Sequence, residues 1–191
     1  MDLTNIFESE RLRLTEIDPK ADAEKDSLWS HGIEYARNRK TNPVRPISAL
    51  ESKKNLEEEL KEAENEGNRF HFAIRSKNGE EELLGFLDVA NIEWKNGQGS
   101  LQIIFGNETT CKEFFSESLQ LGLQYAFGEL NLYHVCMEIP AYETERTAAL
   151  EEADFVREAC LREIVFHEGT YHDRILFGLL AEEWRMQKGL K

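Results

Sequence analysis

Hydrophobic positions follow two spacings along this 191-residue chain, and each spacing predicts a different kind of secondary structure. Alternating positions or short apolar runs predict strands at 7–15, 70–75, 83–92, 101–105, 133–139, 162–167 and 171–180. Helical spacing predicts helices at 22–39, 48–67, 112–127 and 143–153. The predicted order is a strand, two helices, three strands, a helix, a strand, a helix and two strands, which is a mixed α/β arrangement.

Turn residues indicate how these segments connect. Pro43 and Pro46 mark a loop after the first helix, and the segments 77–80 and 95–97 predict tight turns between consecutive strands. The three strands between 70 and 105 therefore form an antiparallel meander. The strand–helix–strand unit at 101–139 then requires a parallel or splayed strand pair within a mostly antiparallel sheet. We expect one domain over residues 1–191, with helices flanking the sheet.

The composition restricts the partners and the compartment. The net charge of −14, from 37 acidic and 23 basic residues, opposes binding to nucleic acid or anionic membranes and favours an amine or a basic peptide. No apolar run is long enough for a transmembrane helix, and the N-terminus lacks the pattern of a secretory signal. The cysteines Cys111, Cys136 and Cys160 are widely spaced, so we expect free thiols of a cytoplasmic protein and no metal site.

The segment 101–127 has the clearest pattern for binding chemistry. A strand that enters a helix through a short turn directs backbone N–H groups and the positive end of the helix dipole at one place, which suits a phosphate. The turn contains one glycine, and Thr110 and Glu113 form a predicted capping box that uses these donors itself. The candidate cofactor contacts in this segment are Ile104, Phe105, Gly106, Thr110, Cys111 and Lys112.

Several side chains have two possible roles. Cys111 lies where the helix dipole would lower the pKa of a thiol, so it is either reactive or structural. Lys112 either contacts an anion or forms an ion pair with Glu108 or Glu113. His167 and His172 lie beside acidic residues in a predicted hairpin, which is either a polar turn or an acid–base or metal site. The structural role is the simpler interpretation in each case.

Motifs along the chain resemble one known family. In the C-terminal third these motifs are Leu161-Arg-Glu163, Phe166-His-Glu-Gly169, Tyr171-His-Asp173 and Leu176-Phe-Gly-Leu-Leu180, followed by Trp184. Ser9-Glu-Arg-Leu-Arg-Leu14 is similar to the family's opening strand, and Gly85-Phe-Leu-Asp-Val89 to its third strand. In these motifs and in its element order, the chain resembles the GNAT acetyltransferases, most closely their RimJ/RimL-like (ribosomal-protein N-acetyltransferase) branch. The resemblance implies a GNAT fold, in which a splayed strand pair holds acetyl-CoA.

The family's functional positions are altered in this chain. In the Arg/Gln-x-x-Gly-x-Gly/Ala loop of the family, the matching residues are Thr110, Glu113 and Phe115. Ser100 matches the position where many members of the branch have a glutamate that acts as general base. Glu143 matches an asparagine that contacts the cofactor, and Leu150 matches a tyrosine that protonates the leaving thiolate. The resemblance therefore implies weakened CoA binding and leaves the catalytic residues unassigned.

The resemblance implies an N-acyltransferase-like protein that transfers an acetyl group from acetyl-CoA to an amine of a peptide or small molecule, with activity weak or lost. The alternative is a non-catalytic GNAT-fold protein with a binding or regulatory role. A third hypothesis, with aminoacyl-tRNA as donor, is opposed by the acidic charge. The first two helices line the acceptor groove in relatives, so Trp29 is a candidate substrate contact, together with Tyr171 and His172 on the closing hairpin. We expect a monomer or a homodimer.

Overall fold

The computed structural model describes residues 5–39, 44–79 and 81–189 of the chain. Over these residues the strands are β1 (Leu12–Thr15), β2 (Phe70–Ser76), β3 (Leu83–Glu93), β4 (Gln98–Phe105), β5 (His134–Pro140), β6 (Val156–His167) and β7 (Thr170–Leu180). The helices are α1 (Pro19–Trp29), α2 (Ile33–Asn38), α3 (Ala49–Glu66), α4 (Glu108–Leu123), α5 (Thr144–Glu152) and α6 (Ala181–Gln187), and a π-helical turn at Gln124–Glu129 extends α4. Pro43 and Glu80, which we predicted in a loop and a turn, lie outside the described residues.

The strands form one seven-stranded sheet in the order β1-β2-β3-β4-β5-β7-β6. Neighbouring strands are antiparallel except β4 and β5, which are parallel and pair only from Gln98 with His134 to Ser100 with Cys136. The rest of β4 and of β5 diverges. This arrangement confirms the predicted mixed α/β fold, with a mostly antiparallel sheet and a splayed parallel pair flanked by helices.

The two faces of the sheet bury different sets of side chains. Leu101, Ile103 and Phe105 of β4 belong to one buried cluster with residues of α4, such as Leu119. Ala73 and Phe86 belong to a second cluster, which includes Leu56 of α3 and Ile17. Side chains alternate between the two faces of a strand, so every second apolar residue of β4 packs on the face that α4 covers. Burial of each such side chain stabilises the fold by about 1.5–3 kcal/mol.

The single helix predicted at 22–39 is wrong, because the structure has two helices separated by a turn at Ser30. The Ser30 hydroxyl donates a hydrogen bond to the carbonyl oxygen of Ser27 at 2.6 Å and accepts one from the backbone N–H of Ile47 at 3.0 Å. Leu28 and Ile33 are two of the apolar positions whose helical spacing predicts that single helix, and both are mostly exposed. The helix buries Asp22 and Asp26 instead, so the apolar spacing was misleading.

The predicted start and end of the helix at 48–67 are confirmed. The Ser48 hydroxyl accepts a hydrogen bond from the backbone N–H of Glu51 at 3.2 Å, and Gly67 ends α3 in the left-handed conformation, with φ +62°. Ser48-Ala-Leu-Glu51 also has the spacing of a capping box, but the return contact from the Glu51 side chain to the backbone N–H of Ser48 is absent within the described residues. The Glu51 carboxylate forms an ion pair with Arg45 instead.

The C-terminal elements were only partly predicted. β6 starts at Val156, well before the predicted start at residue 162. α6 was not predicted; it follows β7 directly, and the Glu183 carboxylate accepts a hydrogen bond from the backbone N–H of Leu180 at 2.8 Å. Within the described ranges, no helix is both long enough and apolar enough to cross a membrane.

Candidate functional site

The candidate site is the cleft that opens where β4 and β5 separate. Beyond the last parallel pair, Ser100 with Cys136, β4 continues to Phe105 and β5 to Pro140. α4 follows β4 and α5 follows β5, so the N-terminal ends of both helices lie at the open end of the cleft. Two of the candidate cofactor contacts, Ile104 and Phe105, lie at the end of β4 and are buried.

The N-terminus of α4 is capped by Asn107. The Asn107 side-chain oxygen accepts a hydrogen bond from the backbone N–H of Thr110 at 2.9 Å, and the N–H of Cys111 donates to the Asn107 carbonyl at 3.1 Å. The predicted capping box of Thr110 with Glu113 is therefore wrong, since the helix already begins at Glu108. Asn107 adopts extended backbone immediately after Gly106, and an asparagine in that conformation is among the most favoured N-caps.

The charged side chains around this helix end are paired with one another. The Lys112 ammonium lies 2.8 Å from a carboxylate oxygen of Glu108 and 3.2 Å from one of Glu145. The predicted ion pair of Lys112 with Glu108 is confirmed, and the alternative pair with Glu113 is not formed. Glu113 lies 3.3 Å from the Arg11 guanidinium instead. The hydrogen bond with Glu108 raises the pKa of Lys112, so Lys112 stays charged and paired with these two carboxylates.

Cys111 does not have the environment of a reactive thiol. We expected the helix dipole to lower its pKa, but burial raises the pKa of this thiol above the usual value, and the nearby carboxylates of Glu143 and Glu145 add to the increase. The thiolate is the nucleophilic form, so the structural role is favoured. Cys111 packs against the hydrophobic cluster below α4.

Arg146 of α5 reaches into the cleft. Its Nη1 donates to the Glu143 carboxylate at 2.7 Å, and its Nη2 donates to the backbone carbonyl oxygen of Ile103 at 3.1 Å. Its guanidinium carbon lies 4.8 Å from the centroid of the Phe115 ring. Only 15% of the Arg146 side chain and 16% of the Glu143 side chain are exposed. The diverging part of β4 is therefore contacted by a side chain of the protein itself.

The positions of the family's acid and base hold side chains that are occupied or buried. The Ser100 hydroxyl donates to the carbonyl oxygen of Ala90 at 3.1 Å and accepts from the Asn91 amide at 2.8 Å. Leu150 is fully buried in the hydrophobic cluster, as Phe115 nearly is. Neither Ser100 nor Leu150 offers a group that titrates near neutral pH.

The three candidate substrate contacts do not lie together. His172 lies near Tyr142, with ring centroids 5.1 Å apart. Tyr171 contacts Phe166 and is largely exposed. Adjacent residues of a strand point to opposite faces, so Tyr171 and His172 cannot line one surface. Trp29 lies elsewhere, in edge contact with Tyr35 and at the bend before α4.

Tyr142 is at the centre of a polar aromatic cluster that the sequence did not reveal. Its ring stacks on His167 with centroids 4.0 Å apart, and the Arg37 guanidinium lies within hydrogen-bond distance of His167 Nδ1, at 2.8 Å. Burial raises the pKa of Tyr142 to about 12, so its hydroxyl is protonated at neutral pH. In the part of the chain that the structure describes, no group of histidine, cysteine and acidic residues is arranged to hold a metal ion.

The fold defines the class as a mixed α/β protein whose sheet contains a splayed parallel pair, and comparison with known proteins identifies the family. The family profile described as Acetyltransferase (GNAT) domain matches residues 11–156, so this chain belongs to the GNAT family. A relative from Bacillus subtilis (strain 168), the SPbeta prophage-derived uncharacterized N-acetyltransferase YokL, is 28% identical over 145 residues, which are 75% of this chain and 77% of the relative.

A second relative and a solved structure extend the similarity. The putative ribosomal N-acetyltransferase YdaF of Bacillus subtilis (strain 168) is 24% identical over 106 residues, 56% of this chain and 58% of that protein. The crystal structure of spermidine N-acetyltransferase from Vibrio cholerae in complex with CoA and spermine superposes with a TM-score of 0.75 and 21% identity, covering 92% of this chain and 99% of that one. This last similarity shows the fold.

Three features of the cleft oppose a CoA in the arrangement that the structure shows. The carbonyl oxygen of Ile103 is already bonded to Arg146. At the start of α4 the Asn107 side chain already accepts a hydrogen bond from the N–H of Thr110. The exposed Glu108 carboxylate adds a negative charge there, which opposes a diphosphate and is partly offset by Lys112 at 2.8 Å. Phe115 fills the position of the family's second small residue with a buried ring. The splayed parallel pair is present, but the side chains that line it differ from those of the family's cofactor motif.

Proposed function

We propose that this chain is a GNAT-fold protein of the RimJ/RimL-like type that recognises an amine-bearing small molecule or peptide, and in which acetyl transfer from acetyl-CoA is weak or lost. It then has a binding or regulatory role rather than a catalytic one. The proposal covers the chain as one domain and as a cytoplasmic monomer or homodimer. Nucleic acid and membranes are not among the proposed partners, because a net charge of −14 repels both.

The burial of Leu150 is the observation that carries this proposal. Acylation of an amine requires that the amine loses a proton and that the leaving thiolate gains one. A positioned general acid or base contributes about 10²–10⁴-fold to such a rate. Leu150 has no proton to give and is fully buried, and the Ser100 hydroxyl is held by two hydrogen bonds on the sheet. Both contributions are therefore missing at these positions.

An amine as ligand is supported by charge and by the similar structures. The acidic protein attracts cations, and the Vibrio cholerae structure with a similar fold holds spermine. The Tyr142 and His172 rings offer aromatic contacts for an ammonium group. The Glu34 carboxylate near His167 would have to exchange its partner Arg37, which lies 2.8 Å away, for the amine. The proposed amine ligand would lie beside these rings.

The test is an acetyl-transfer assay with a matched binding measurement. Release of free thiol from acetyl-CoA is followed with spermidine, spermine and short basic peptides as acceptors, and an active spermidine N-acetyltransferase serves as positive control. We expect rates at least about 10²-fold below the control, as loss of acid or base catalysis predicts. Amine binding is measured by calorimetry on the same protein. Turnover comparable to the control contradicts the proposal.

A catalytically competent N-acetyltransferase is the second candidate. It is favoured by one observation, that β4 and β5 keep the parallel pair and the divergence after Ser100. In this case the amine would lose its proton to water, and proximity alone would promote the reaction. The same assay separates the two candidates, because only the second predicts thiol release at a rate comparable to that of the active spermidine N-acetyltransferase.

A further inference from the structure

We infer that Arg146 is a built-in stopper of the cleft, held by Glu143 and Phe115, and that it excludes the pantetheine arm of CoA from the β4 edge. The inference deepens the proposed function and rests on it, since it names the contact that removes the cofactor. Three separate side chains at the cleft act together in this arrangement: Phe115 from α4, Glu143 at the start of α5, and Arg146 one helical turn later.

The edge of β4 is the surface at issue. Beyond Ser100, β4 no longer pairs with β5, so its backbone groups on this side need other partners. A ligand that contains amides, such as pantetheine, pairs with an open strand edge through backbone-like hydrogen bonds. The carbonyl oxygen of Ile103 accepts its bond from Arg146 Nη2 at 3.1 Å, so a ligand at this place has to displace the guanidinium.

The guanidinium is held on two further sides. The Glu143 carboxylate accepts a charge-assisted hydrogen bond from Nη1 at 2.7 Å, and the Phe115 ring lies under the guanidinium carbon at 4.8 Å. Glu143 and Phe115 occupy two of the positions at which this chain departs from the family's cofactor motif. These two departures therefore have a common structural role, because each supplies a contact to Arg146.

Displacement of Arg146 by a ligand is unfavourable because of the charges involved. If the guanidinium leaves, the Glu143 carboxylate remains largely buried without its partner and faces an anionic cofactor. The stopper therefore opposes CoA twice, by occupying the carbonyl of Ile103 and by keeping a carboxylate at the cleft. Arg146 Nε is buried and has no hydrogen-bond partner among the described residues, so the pair is not optimal for stability and can be replaced.

The test is a double substitution that removes both charges, Glu143→Gln with Arg146→Ala, so that the family's asparagine is not introduced at the same time. The matched control is Glu51→Gln with Arg45→Ala, which removes an ion pair at the start of α3, outside β4, β5, α4 and α5. CoA and pantetheine are titrated into the wild type and both variants by calorimetry. We expect the cleft variant to bind CoA about tenfold or more tightly than the wild type and the control, which is the change for one charge-assisted hydrogen bond.

Titration with pantetheine distinguishes removal of the Arg146 stopper from a general change in charge near the start of α4. It lacks phosphates, so a gain seen for both ligands supports the stopper, and a gain for CoA alone overturns it in favour of general electrostatics. A folded cleft variant that binds neither ligand better than the control also overturns it. A measurement on the wild type does not depend on the variants: separate, slowly exchanging NMR signals are expected for the Arg146 guanidinium, and a single averaged signal contradicts the stopper.

The outcomes for the stopper and for the proposed function are distinct. CoA binding by the cleft variant without acetyl transfer supports both. Equal CoA binding by all three proteins without turnover overturns the stopper and leaves the proposed function in place. Acetyl transfer by the cleft variant alone supports the stopper and contradicts the proposal that the missing acid and base abolish catalysis.

Discussion

The indole of Trp29 lies directly against the backbone of Gly106, so that a Cβ atom added at Gly106 would come within 2.0 Å of indole carbon Cε2. This contact joins α1 to the turn between β4 and α4. The contact alone accounts for the glycine in this turn, without a bound phosphate. The indole also contacts Tyr35 and Phe86 at ring-centroid distances of 5.4 and 6.3 Å, so it cannot move away freely.

The substitution Gly106→Ala is therefore expected to destabilise the protein. Overpacking of a filled site costs about 1–3 kcal/mol, and the edge contacts of Trp29 with Tyr35 and Phe86 place this substitution in the upper half of that range. Urea unfolding followed by tryptophan fluorescence measures the change. The control is Gly128→Ala, because nothing lies within 4 Å of a Cβ at Gly128. A Gly106→Ala protein as stable as the control contradicts the contact.

The cap of α4 is tested by comparing Asn107→Ala with Thr110→Ala. Loss of an N-cap side chain costs about 0.5–2 kcal/mol, and Asn107 supplies that contact to the N–H of Thr110. We expect Asn107→Ala to lower the free energy of unfolding by about 1 kcal/mol and Thr110→Ala to change it by less than about 0.5 kcal/mol. The reverse order would restore the capping box that the sequence suggested.

The family's tyrosine cannot be restored at position 150 without a structural penalty. Leu150 is fully buried, so Leu150→Tyr introduces a larger ring and a hydroxyl into a filled cluster, with an expected destabilisation of about 1–3 kcal/mol. Leu150→Met keeps the volume and is expected to cost less than about 1.5 kcal/mol. Thermal unfolding measures both, and thiol release from acetyl-CoA is expected to stay at the wild-type level. A stable Leu150→Tyr protein with new turnover would show that the position faces the cleft.

Stability at low pH is expected to depend on Asp88. Burial alone would raise the pKa of this carboxyl, but the hydrogen bond and charge of His71, with the charge of Arg69, hold it below the ordinary value of 3.8. A lowered folded-state pKa means that the ionised carboxylate stabilises the protein above pH 3.8, and that this contribution is lost as the pH falls through the folded-state value.

Asp88→Asn is the variant that tests this pH dependence. At neutral pH it breaks a buried ion pair and is expected to cost about 3 kcal/mol. The difference from the wild type should shrink as the pH falls below 3.8, because the wild-type carboxyl is then protonated as well. Chemical unfolding from pH 7 to pH 2.5 measures both curves. Glu24→Gln, at an exposed position on α1, is the control and is expected to follow the wild type.

Local sequence patterns predicted the strands well because the strand signal is local. The alternation in β2 and β3 and the apolar run of β4 reflect burial on one or both faces of the sheet. The structure therefore has strands at these three places. The helix at 22–39 failed for a physical reason: Asp22 is buried against Arg75, at 2.8 Å, while apolar Leu28 is exposed. A buried ion pair between distant residues reverses the rule that apolar spacing marks the buried face.

The candidate site was less predictable because its contacts come from different elements. The sequence identified Glu113, Phe115 and Glu143 as altered positions, but gave no indication that Phe115 and Glu143 converge on Arg146 while Glu113 turns away to Arg11. A pair at i and i+3, such as Glu143 with Arg146, is common on helices. Only the position of α5 beside the diverging strand places its arginine on the carbonyl of Ile103.

The exposed β6 strand gives the molecule an uneven rigidity. Every residue from Val156 to Ile164 is exposed, and the strand pairs only with β7, with register shifts after Arg157 and Leu161. Few apolar contacts oppose its separation, so this outer strand is expected to open locally before the sheet from β1 to β5 does. In native-state hydrogen exchange its amide protons are expected to be lost before those of β3 and β4, while β7 stays attached through its pairing with β5.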